Sequence, residues 1–563
     1  MTKESRMHIL VVDNDKDFRE AWAKLLRQKD YSVIHFESLK GQTPHDLHNS
    51  HYDLALIDRR VDDDQDIYDT SGQNFAVELC QLGTPTVLVT GFLPSDFDLF
   101  ELLRTGAISA IATKKIEMFE LLHCVEEFEH SRRFPNCIAE FYHEENHELM
   151  TEKDWKEIAS KIEGVSVSGV ELSVLFRSVI PPCAKEVRLR PLTPGHGGAA
   201  LFRAKVSSGD GPVVEDVAIK YGDRNTIMSE AMRYDRHVGP LPDGVAAHLR
   251  WRKETRTLGA IAYTWVGDSV EDGTPFGPAK GPLSWRRRQT ALDRLFSVSL
   301  NPWYRVFRSG AATPPSPLSL LSYYIGPDGY CTEVPFSNQA LPDNLPSPVI
   351  TEDGHWDFGE HGRFPSPVKW LTEGRGSTLP LTQYSPCHGD LHVKNIFVLP
   401  DDSPRLIDFG DTALGHVFRD FAALEASIRL TCCDMTDVDS LTRLLTLKLA
   451  ADSVSSTRSL GEHINHRPVL RELNDVRKTV VTTMQIRRAA LDAISFKASE
   501  TSLHEYLFAL ILRLLRYATG IADEVSRKEP EEEKSLRIWH ALYSAARATE
   551  QAITLDIDSD KPC

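Results

Sequence analysis

Residues 387–395, with the sequence Cys-His-Gly-Asp-Leu-His-Val-Lys-Asn, combine carboxylate and amide groups at a spacing that suits phosphate chemistry. Asp390 precedes Asn395 by five positions, and Asp408 follows in the segment Ile-Asp-Phe-Gly. Phosphoryl transfer needs a positioned acceptor hydroxyl and Mg2+ to neutralise the charge of a triphosphate. Asp390 suits the first task as catalytic base, and Asn395 and Asp408 suit the second as metal ligands. An ordinary turn would explain His-Gly-Asp at 388–390 or Phe-Gly-Asp at 409–411 taken alone. It does not explain why both occur at the spacing that phosphoryl transfer needs.

This loop resembles that of the aminoglycoside and choline phosphotransferase branch of the protein-kinase-like fold. The resemblance extends over residues 188–429, with Gly389 where protein kinases usually carry Arg and His392 after the Leu. It implies ATP and Mg2+ as cofactors. It also implies that His388 and Asp420 are structural residues, with Asp420 bracing the catalytic loop. The acceptor is not identified, because one fold hosts many substrates.

A nucleotide-binding segment is predicted upstream of the loop. Gly195, Gly197 and Gly198 lie between two strand-like segments, where backbone N–H groups can approach phosphate oxygens. A plain hairpin turn explains such a short glycine-rich segment as well. Residues 216–220, Asp-Val-Ala-Ile-Lys, resemble the kinase strand whose Lys binds the α- and β-phosphates, which implies that role for Lys220.

Two charged segments allow alternative interpretations. Glu230 lies on a helix predicted for residues 225–237, where it either orients Lys220 through an ion pair or is a solvated surface charge. The basic run at residues 285–288 either meets an acidic acceptor or forms a solvated helix face. The sequence leaves both choices open.

The first 130 residues contain a second set of chemically capable side chains. Apolar strands are predicted to end near Asp13, Asp58 and Thr90, and a further apolar run leads to Lys114. Helical segments alternate with these strands, which predicts a doubly wound, flavodoxin-like α/β domain whose strand ends converge on one pocket. A carboxylate can attack a phosphoryl group there only if a metal and a cation offset the negative charge.

This arrangement resembles the receiver domain of a two-component response regulator. The resemblance implies that Asp58 accepts phosphoryl, that Asp13 and Asp58 hold Mg2+, and that Thr90 and Lys114 form the switch. It also implies a histidine kinase or another phosphodonor as partner. Asn14 replaces one carboxylate of the usual acidic pair, so a receiver-like docking module that is never phosphorylated is the alternative.

The chain length of 563 residues exceeds that of one domain and predicts a multidomain protein of the α/β and α+β classes. A bilobal protein-kinase-like fold, with a helical insertion and a helical C-terminal region, is expected after the receiver-like domain. The predicted parts are a receiver-like domain at 1–130, a helical connector at 131–180, a kinase-like N-lobe at 181–268, a C-lobe with the insertion at 269–430, a helical subdomain at 431–555 and a flexible tail at 556–563.

Composition restricts the partners and the location that we expect. A formal net charge of −17 argues against nucleic-acid binding, which requires a basic surface. The first residues contain neither a signal peptide nor a long apolar run, so we expect neither secretion nor membrane insertion. The 9 cysteines show no metal-type spacing, which favours reduced thiols in a cytoplasmic protein. The oligomeric state stays open, and an oligomer is compatible with the sequence.

Together, these patterns favour a signalling protein in which a receiver domain regulates an ATP- and Mg2+-dependent phosphotransferase with an alcohol as acceptor. The alternative is a non-catalytic, nucleotide-sensing scaffold in a multi-protein bacterial signalling or conflict assembly. A detoxifying antibiotic kinase would explain the catalytic motif but not the receiver-like domain. Whether the acceptor is a small molecule or a protein stays open.

Overall fold

In the computed structural model of the protein, the chain forms two compact units. Unit 1 comprises Met1–Ala231 and His248–Trp265, and unit 2 comprises Met232–Ala247 and Val266–Cys563. The residues that the structure describes are 7–62, 69–91, 102–103, 105–114, 116, 118–131, 135, 139–160, 162, 167–181, 184–192, 199–207, 213–255, 257–266, 273–277, 283–308, 319–325, 334–335, 349–381, 384–431, 474–494, 500–523 and 531–559.

The N-terminal part of unit 1 is a parallel sheet of five strands in the order β2-β1-β3-β4-β5. The strands are β1 His8–Val12, β2 Ser32–Phe36, β3 Leu54–Asp58, β4 Thr86–Thr90 and β5 Ala110–Thr113. The described helices beside them are α1 Lys16–Gln28, α2 Pro44–Asn49, α3 Ser71–Gln81 and α4 Met118–Ser131. This strand order confirms the predicted doubly wound, flavodoxin-like domain.

Both faces of this sheet are buried, which explains why its strands are nearly continuous apolar runs. On one face, Trp22 of α1 and Leu121 of α4 pack on the sheet. On the other face, Leu47 of α2 and Leu79 of α3 do so. Since the carboxyl ends of parallel strands meet at one edge, this packing collects the polar residues that follow β1, β3, β4 and β5 at that edge.

Unit 1 also contains a mixed sheet of six strands in the order β10-β11-β9-β8-β7-β6. The strands are β6 Glu140–His143, β7 Glu186–Leu192, β8 Ala200–Ser207, β9 Val213–Asp223, β10 Leu249–Glu254 and β11 Leu258–Thr264. The helices in this part of the chain are α5 Glu152–Ser160, α6 Gly169–Ser178 and α7 Arg224–Arg233. Helix α7 continues as a π-helical turn, Tyr234–Val238.

The segment expected as a helical connector, 131–180, is helical only in part. It contributes β6, which pairs in parallel with β7. The physical reason is an aromatic cluster: Phe141 of β6 contacts Trp155 of α5, which contacts Phe176 of α6, with ring centroids 5.3 Å apart in each pair. This segment is therefore part of the core of unit 1.

Unit 2 is mainly helical, with short antiparallel sheets. Its helices are α8 Trp285–Arg294, α9 Asn301–Arg308, α10 Leu320–Tyr324, α11 Pro367–Thr372, α12 Phe418–Thr431, α13 Asn474–Ala493, α14 Glu500–Asp523 and α15 Glu531–Ser559. Its strands are β12 Thr274–Pro275, β13 Val349–Ile350, β14 His355–Asp357, β15 Arg363–Pro365, β16 Tyr384–Cys387, β17 Ile396–Val398, β18 Pro404–Leu406 and β19 Ala413–His416. The chain is thus multidomain α/β with mixed sheets, whereas its bilobal kinase-like character stays a prediction.

Two expectations for unit 2 are corrected. Neither alternative for the basic run at 285–288 holds for Arg288, which is buried and donates to the carbonyl oxygens of Leu283 and Gly277. The flexible tail expected from residue 556 is wrong for residues 556–559, because α15 continues to Ser559. The last residues, 560–563, lie outside the described part of the chain.

Within the described residues, no helix combines the length and the apolar character that crossing a membrane requires.

Candidate functional site

The carboxyl-terminal edge of the parallel sheet brings together two aspartates and a lysine. Asp13 follows β1, Asp58 ends β3, and Lys114 follows β5. The Lys114 Nζ atom lies 2.9 Å from a carboxylate oxygen of Asp13 and 2.9 Å from one of Asp58. The exposed fraction of the side chain is 18% for Lys114, 2% for Asp13 and 5% for Asp58. The site is thus a nearly enclosed cluster of one cation and two carboxylates.

Burial dominates the electrostatics of this cluster. Burial and the neighbouring Asp58 charge raise the pKa of Asp13 to about 6, although Lys114 opposes the shift. Burial also raises the pKa of Asp58 against the opposing charge of Lys114. The pKa of Lys114 is raised, because the two carboxylates outweigh the effect of burial. A single lysine does not fully offset two crowded carboxylates, so the site suits an additional cation.

The donor set fits Mg2+, which usually takes one or two protein carboxylates and completes its shell with water or phosphate oxygens. Asp13 and Asp58 supply such carboxylates. Asn14 instead donates its amide to the carbonyl oxygen of Arg60 at 2.9 Å. Asp15 caps α1 by accepting from the backbone N–H groups of the first helical turn. These local contacts explain how the site keeps its shape with an amide at position 14.

Two further residues contact the backbone of this cluster. Thr90, at the end of β4, is buried, and its carbonyl oxygen accepts from the backbone N–H of Lys114 at 2.8 Å. Gly72, in the first turn of α3, lies so close to β3 that an added Cβ would be 1.8 Å from the carbonyl oxygen of Asp58. Sequence reasoning missed Gly72, since a glycine within a helical pattern does not show which backbone it approaches.

In the second sheet of unit 1, Lys220 of β9 forms an ion pair with Glu230 of α7. The Lys220 Nζ atom lies 2.8 Å from a Glu230 carboxylate oxygen, and Tyr263 of β11 donates to the same carboxylate at 3.0 Å. The Glu230 side chain is only 4% exposed. Of the two alternatives for Glu230, the structure therefore has the ion pair and not the solvated charge. Gly195, Gly197 and Gly198 lie outside the described residues.

In unit 2, the segment after β16 is held by a buried carboxylate. Asp420 of α12 accepts from the backbone N–H groups of His388 at 2.6 Å and of Gly389 at 2.9 Å. The His388 ring is buried, and its Nε2 atom lies 3.0 Å from the carbonyl oxygen of Ile407. These contacts fix the backbone directly before Asp390.

Gly389 occupies a position that only glycine fits. Its φ is +89°, in the left-handed region. A Cβ there would lie 2.1 Å from the carbonyl oxygen of Asp411. An arginine in this position, as in many protein kinases, is therefore incompatible with this backbone.

Asp390, Asn395 and Asp408 lie on adjoining segments of unit 2. The Asn395 side-chain amide donates to the backbone carbonyl of Asp390 at 2.9 Å, and the backbone carbonyl of Asn395 accepts from the N–H of Ile407 at 3.1 Å. Asp408 has φ +62°, a left-handed conformation that is uncommon for a residue other than glycine. Such conformations cluster at functional sites.

These residues also fit a metal bound through phosphate. Among the described residues, no group of three or more His, Cys, Asp or Glu side chains could hold a metal ion. A kinase-type site differs, because one Asp and one Asn share the ion with the phosphate oxygens of the nucleotide. Asp408 and Asn395 supply this pair of side chains.

Sequence reasoning missed a cation beside Asp390. The Nη2 atom of Arg513, on α14, lies 2.9 Å from Asp390 Oδ1, and His392 Nε2 lies 3.4 Å from Asp390 Oδ2. Burial raises the pKa of Asp390, but the hydrogen bond with His392 and the nearby charges of His392, His388 and Arg419 together outweigh it and lower that pKa. The separation of 123 positions between Asp390 and Arg513 left no sequence signal for their contact.

Comparison with family models gives one match. Residues 331–517 match the family described as Ternary complex associated domain 9. This range includes the segment from His388 to Asn395, Asp408 and Arg513. No curated protein matches the sequence.

Several solved structures of receiver domains resemble part of the chain. They include a CheY-like receiver domain protein from Methanospirillum hungatei JF-1 (20% identity, 22% of this chain and 94% of that chain, TM-score 0.20). The receiver domain of the Francisella response regulator 1452 also matches (16% identity, 23% and 99%, TM-score 0.19). A third is the BeF3-activated receiver domain of Klebsiella pneumoniae RstA (21% identity, 22% and 99%, TM-score 0.19). The strand order β2-β1-β3-β4-β5 of the N-terminal sheet by itself identifies the flavodoxin-like fold.

Proposed function

We propose that this protein is a signalling protein in which a receiver domain with phosphoacceptor Asp58 regulates an ATP- and Mg2+-dependent phosphotransferase. The receiver part is supported by the contacts of Lys114 with Asp13 and Asp58. A carboxylate nucleophile needs a cation and a metal to offset the incoming phosphoryl charge, and this cluster supplies the lysine and two metal ligands. A histidine kinase or a small phosphodonor would supply the phosphoryl group.

The phosphotransferase part is supported by one observation above all: Asp420 holds the backbone before Asp390 through two N–H groups. In this proposal Asp390 positions the acceptor hydroxyl and receives its proton. Asn395 and Asp408 hold Mg2+, which neutralises triphosphate charge when bound. Lys220, oriented by its ion pair in unit 1, binds the nucleotide phosphates.

The experiment that tests this proposal measures ATP binding and turnover with Mg2+ for the wild type, Asp390→Asn and Asp408→Asn. We expect nucleotide binding by all three proteins at high Mg2+ and loss of turnover by about a hundredfold or more in both variants. Asp243→Asn is the matched control in unit 2, because Asp243 is exposed. Turnover that survives in both active-site variants would contradict the assignment.

A second candidate is a nucleotide-sensing scaffold without turnover. It is favoured by the ion pair between Asp390 and Arg513, which occupies a carboxylate oxygen of the candidate base. The description of the matched family, a ternary complex associated domain, also favours a role in an assembly. Tight ATP binding with no turnover, with or without acceptors and phosphodonor, would support this candidate over the enzyme.

A further inference from the structure

A buried arginine on α1 contacts the main chain of the acidic site. The side chain of Arg19 is 7% exposed, and its Nη1 atom donates to the backbone carbonyl oxygen of Asp13 at 2.5 Å. Its Nη2 atom lies 3.6 Å from a carboxylate oxygen of Glu37, whose side chain is 79% exposed. Arg19 thus holds Asp13 from within the fold, whereas the carboxylate of Glu37 lies in solvent.

Burial of this guanidinium needs a compensation that Glu37 does not supply. Arginine is almost never fully buried unless it is paired, because removing its charge from water is costly. An exposed carboxylate at 3.6 Å contributes little, since water screens the pair. The bond to the Asp13 carbonyl is a charge-assisted hydrogen bond inside the fold. This bond therefore explains why the arginine is buried at this place.

The main chain of Asp13 is fixed on both sides. Its N–H donates to the carbonyl oxygen of Phe36 of β2 at 3.1 Å, and its carbonyl accepts from Arg19. The Asp13 carboxylate accepts from the backbone N–H of Asp15 and from Lys114, each at 2.9 Å. Without Arg19, one of the two main-chain contacts is lost, and the direction of the carboxylate becomes less restricted.

Such a restriction matters for a metal ligand. Mg2+ requires nearly ideal octahedral geometry at short distances from its oxygen ligands. Residues that orient a ligand without touching the metal change the metal affinity by about 10- to 100-fold when they are replaced. Arg19 fits this description, because its contact with Asp13 is made to the backbone carbonyl and not to the carboxylate.

We propose that Arg19 is a positioning residue of the acidic site, which holds the Asp13 carboxylate in place as a ligand of Mg2+ for phosphoryl transfer to Asp58. This inference rests on the proposed receiver function. With acetyl phosphate, a carboxylate oxygen of Asp58 forms a bond to phosphorus, the bond between phosphorus and the acetyl oxygen breaks, and acetate leaves with the electron pair. No proton is transferred, and Arg19 acts through Asp13.

The test follows phosphorylation of the full chain by acetyl phosphate at a series of Mg2+ concentrations. A phosphate-affinity gel separates the phosphorylated chain, and Asp58→Asn is the blank. Arg19→Met removes the donors and keeps an unbranched side chain that suits a helix. We expect the Mg2+ concentration for half-maximal labelling to rise by about tenfold or more, with the rate at saturating Mg2+ nearly unchanged. Arg19→Lys keeps a cationic donor and should restore most of the affinity.

Arg27 is a matched control on the same helix. Its Nη2 atom donates to the carbonyl oxygen of Val33 at 3.0 Å, and both arginines bond to a residue six positions away. Val33 lies near the start of β2, whereas the acidic site lies at the carboxyl-terminal edge of the sheet. Arg27→Met should therefore leave the Mg2+ requirement unchanged, as should Glu37→Gln, which removes the exposed partner.

Two results would overturn the inference. One is an unchanged Mg2+ requirement in Arg19→Met, and the other is an equal rise in Arg27→Met or Glu37→Gln. Arg19→Gln, which is neutral but keeps an amide donor on a shorter chain, serves as the second variant where Arg19→Met does not fold. It should raise the Mg2+ requirement by about threefold or more, and no rise contradicts the inference.

A binding measurement separates this inference from the proposed function. Mg2+ that binds the folded chain raises the urea concentration at the unfolding midpoint, without phosphodonor or turnover. The part of this shift that is absent in Asp13→Asn reports on the acidic site. We expect Arg19→Met to need about tenfold more Mg2+ than Arg27→Met for the same shift. Equal requirements, or no Asp13-dependent shift in the wild type, contradict the inference, while absence of labelling by acetyl phosphate contradicts only the proposed function.

Discussion

At the scale of single residues, the cluster of Asp13, Asp58 and Lys114 holds opposite charges in a site that excludes most water. Removing one partner of a buried ion pair costs more than the pair itself contributes, because the remaining charge loses its compensation. Here the loss of Lys114 would leave two carboxylates facing each other. Stability should therefore report on this site without any assay of activity.

We expect Lys114→Gln to lower the free energy of unfolding by about 3 kcal/mol at neutral pH, because two buried carboxylates lose their cation. Urea titrations measure this change. Millimolar Mg2+ should recover part of the loss, since the metal offsets the same charges. Lys24→Gln, at an exposed position of α1, is the control. A loss no larger than that of the control would contradict the ion-pair account.

Gly389 and Gly244 can be compared directly, because they differ mainly in the space around an added Cβ. Both have positive φ, +89° and +84°, but a Cβ on Gly244 meets nothing within 4 Å. Gly244→Ala should cost about 1 kcal/mol from backbone strain alone. Gly389→Ala should cost clearly more, since its Cβ also collides with the Asp411 carbonyl. Urea unfolding measures both, and equal costs would show that the collision is relieved.

The sequence predicted the reactive residues of these sites, but not the residues from distant parts of the chain that contact them. Asp13, Asp58 and Lys114 follow apolar strands, and parallel strands bring their carboxyl ends to one edge, so the prediction needed only periodicity and fold. Gly72 and Arg513 could not be predicted in this way. Their roles depend on which backbone or carboxylate lies opposite, and nothing in local sequence encodes such a distant contact.

At the scale of elements, α4 is joined to the second sheet of unit 1. Glu127 of α4 lies 2.8 Å from Lys253 of β10, with 5% and 11% of the side chains exposed. Glu120 of α4 pairs with Arg177 of α6 at 2.6 Å and accepts from Ser173 at 2.5 Å. The helix that follows the Lys114 strand is thus bonded to the sheet that carries Lys220.

A double-mutant cycle on Glu127 and Lys253 measures the free energy of this ion pair. For Glu127→Gln and Lys253→Met we expect a coupling free energy of about 1–3 kcal/mol, because both partners are largely buried. The exposed pair of Lys16 and Glu20, 4.0 Å apart with 72% and 58% exposure, is the control. We expect about 0.5 kcal/mol or less there. Equal coupling free energies in the two pairs would mean that the buried pair stabilises the protein no more than an exposed pair does.

The helices of unit 2 meet around a buried charge that the sequence did not indicate. Glu425 of α12 accepts from Arg487 of α13 at 2.7 and 2.9 Å, from Arg429 at 2.9 Å and from Tyr506 of α14. A helical pattern predicts that such helices exist, but not that their core is ionic. Burial opposes the charged form, yet the arginines outweigh it and lower the pKa of Glu425 from 4.5 to about 2.

This shift predicts how stability depends on pH. Since the pKa is lower in the folded state, the contribution of Glu425 is present above pH 4.5 and is lost as pH falls towards about 2. The difference in unfolding free energy between wild type and Glu425→Gln should shrink by about 3 kcal/mol over that window. Glu373→Gln, at an exposed position, should show little change. A difference that stays constant with pH would contradict the ionic core.

At the scale of the whole molecule, the chemistry is divided between the two units. Unit 1 contains the acidic site and the ion pair of Lys220 with Glu230, and unit 2 contains Asp390, Asn395 and Asp408. The family match at residues 331–517 falls in unit 2. Length and composition predicted several domains. They could not predict the unit boundary, because each unit consists of two separate chain segments and only three-dimensional contacts show which segments belong together.

We propose that the state of Asp58 controls phosphoryl transfer. The most direct measurement is ATP turnover with Mg2+, with and without acetyl phosphate, for the wild type, Asp58→Asn and the exposed-site control Asp17→Asn. We predict that the phosphodonor changes turnover by about fivefold or more in the wild type and the control, and leaves Asp58→Asn unchanged. Equal responses in Asp58→Asn and the wild type, or no turnover in any condition, would contradict control of phosphoryl transfer by Asp58.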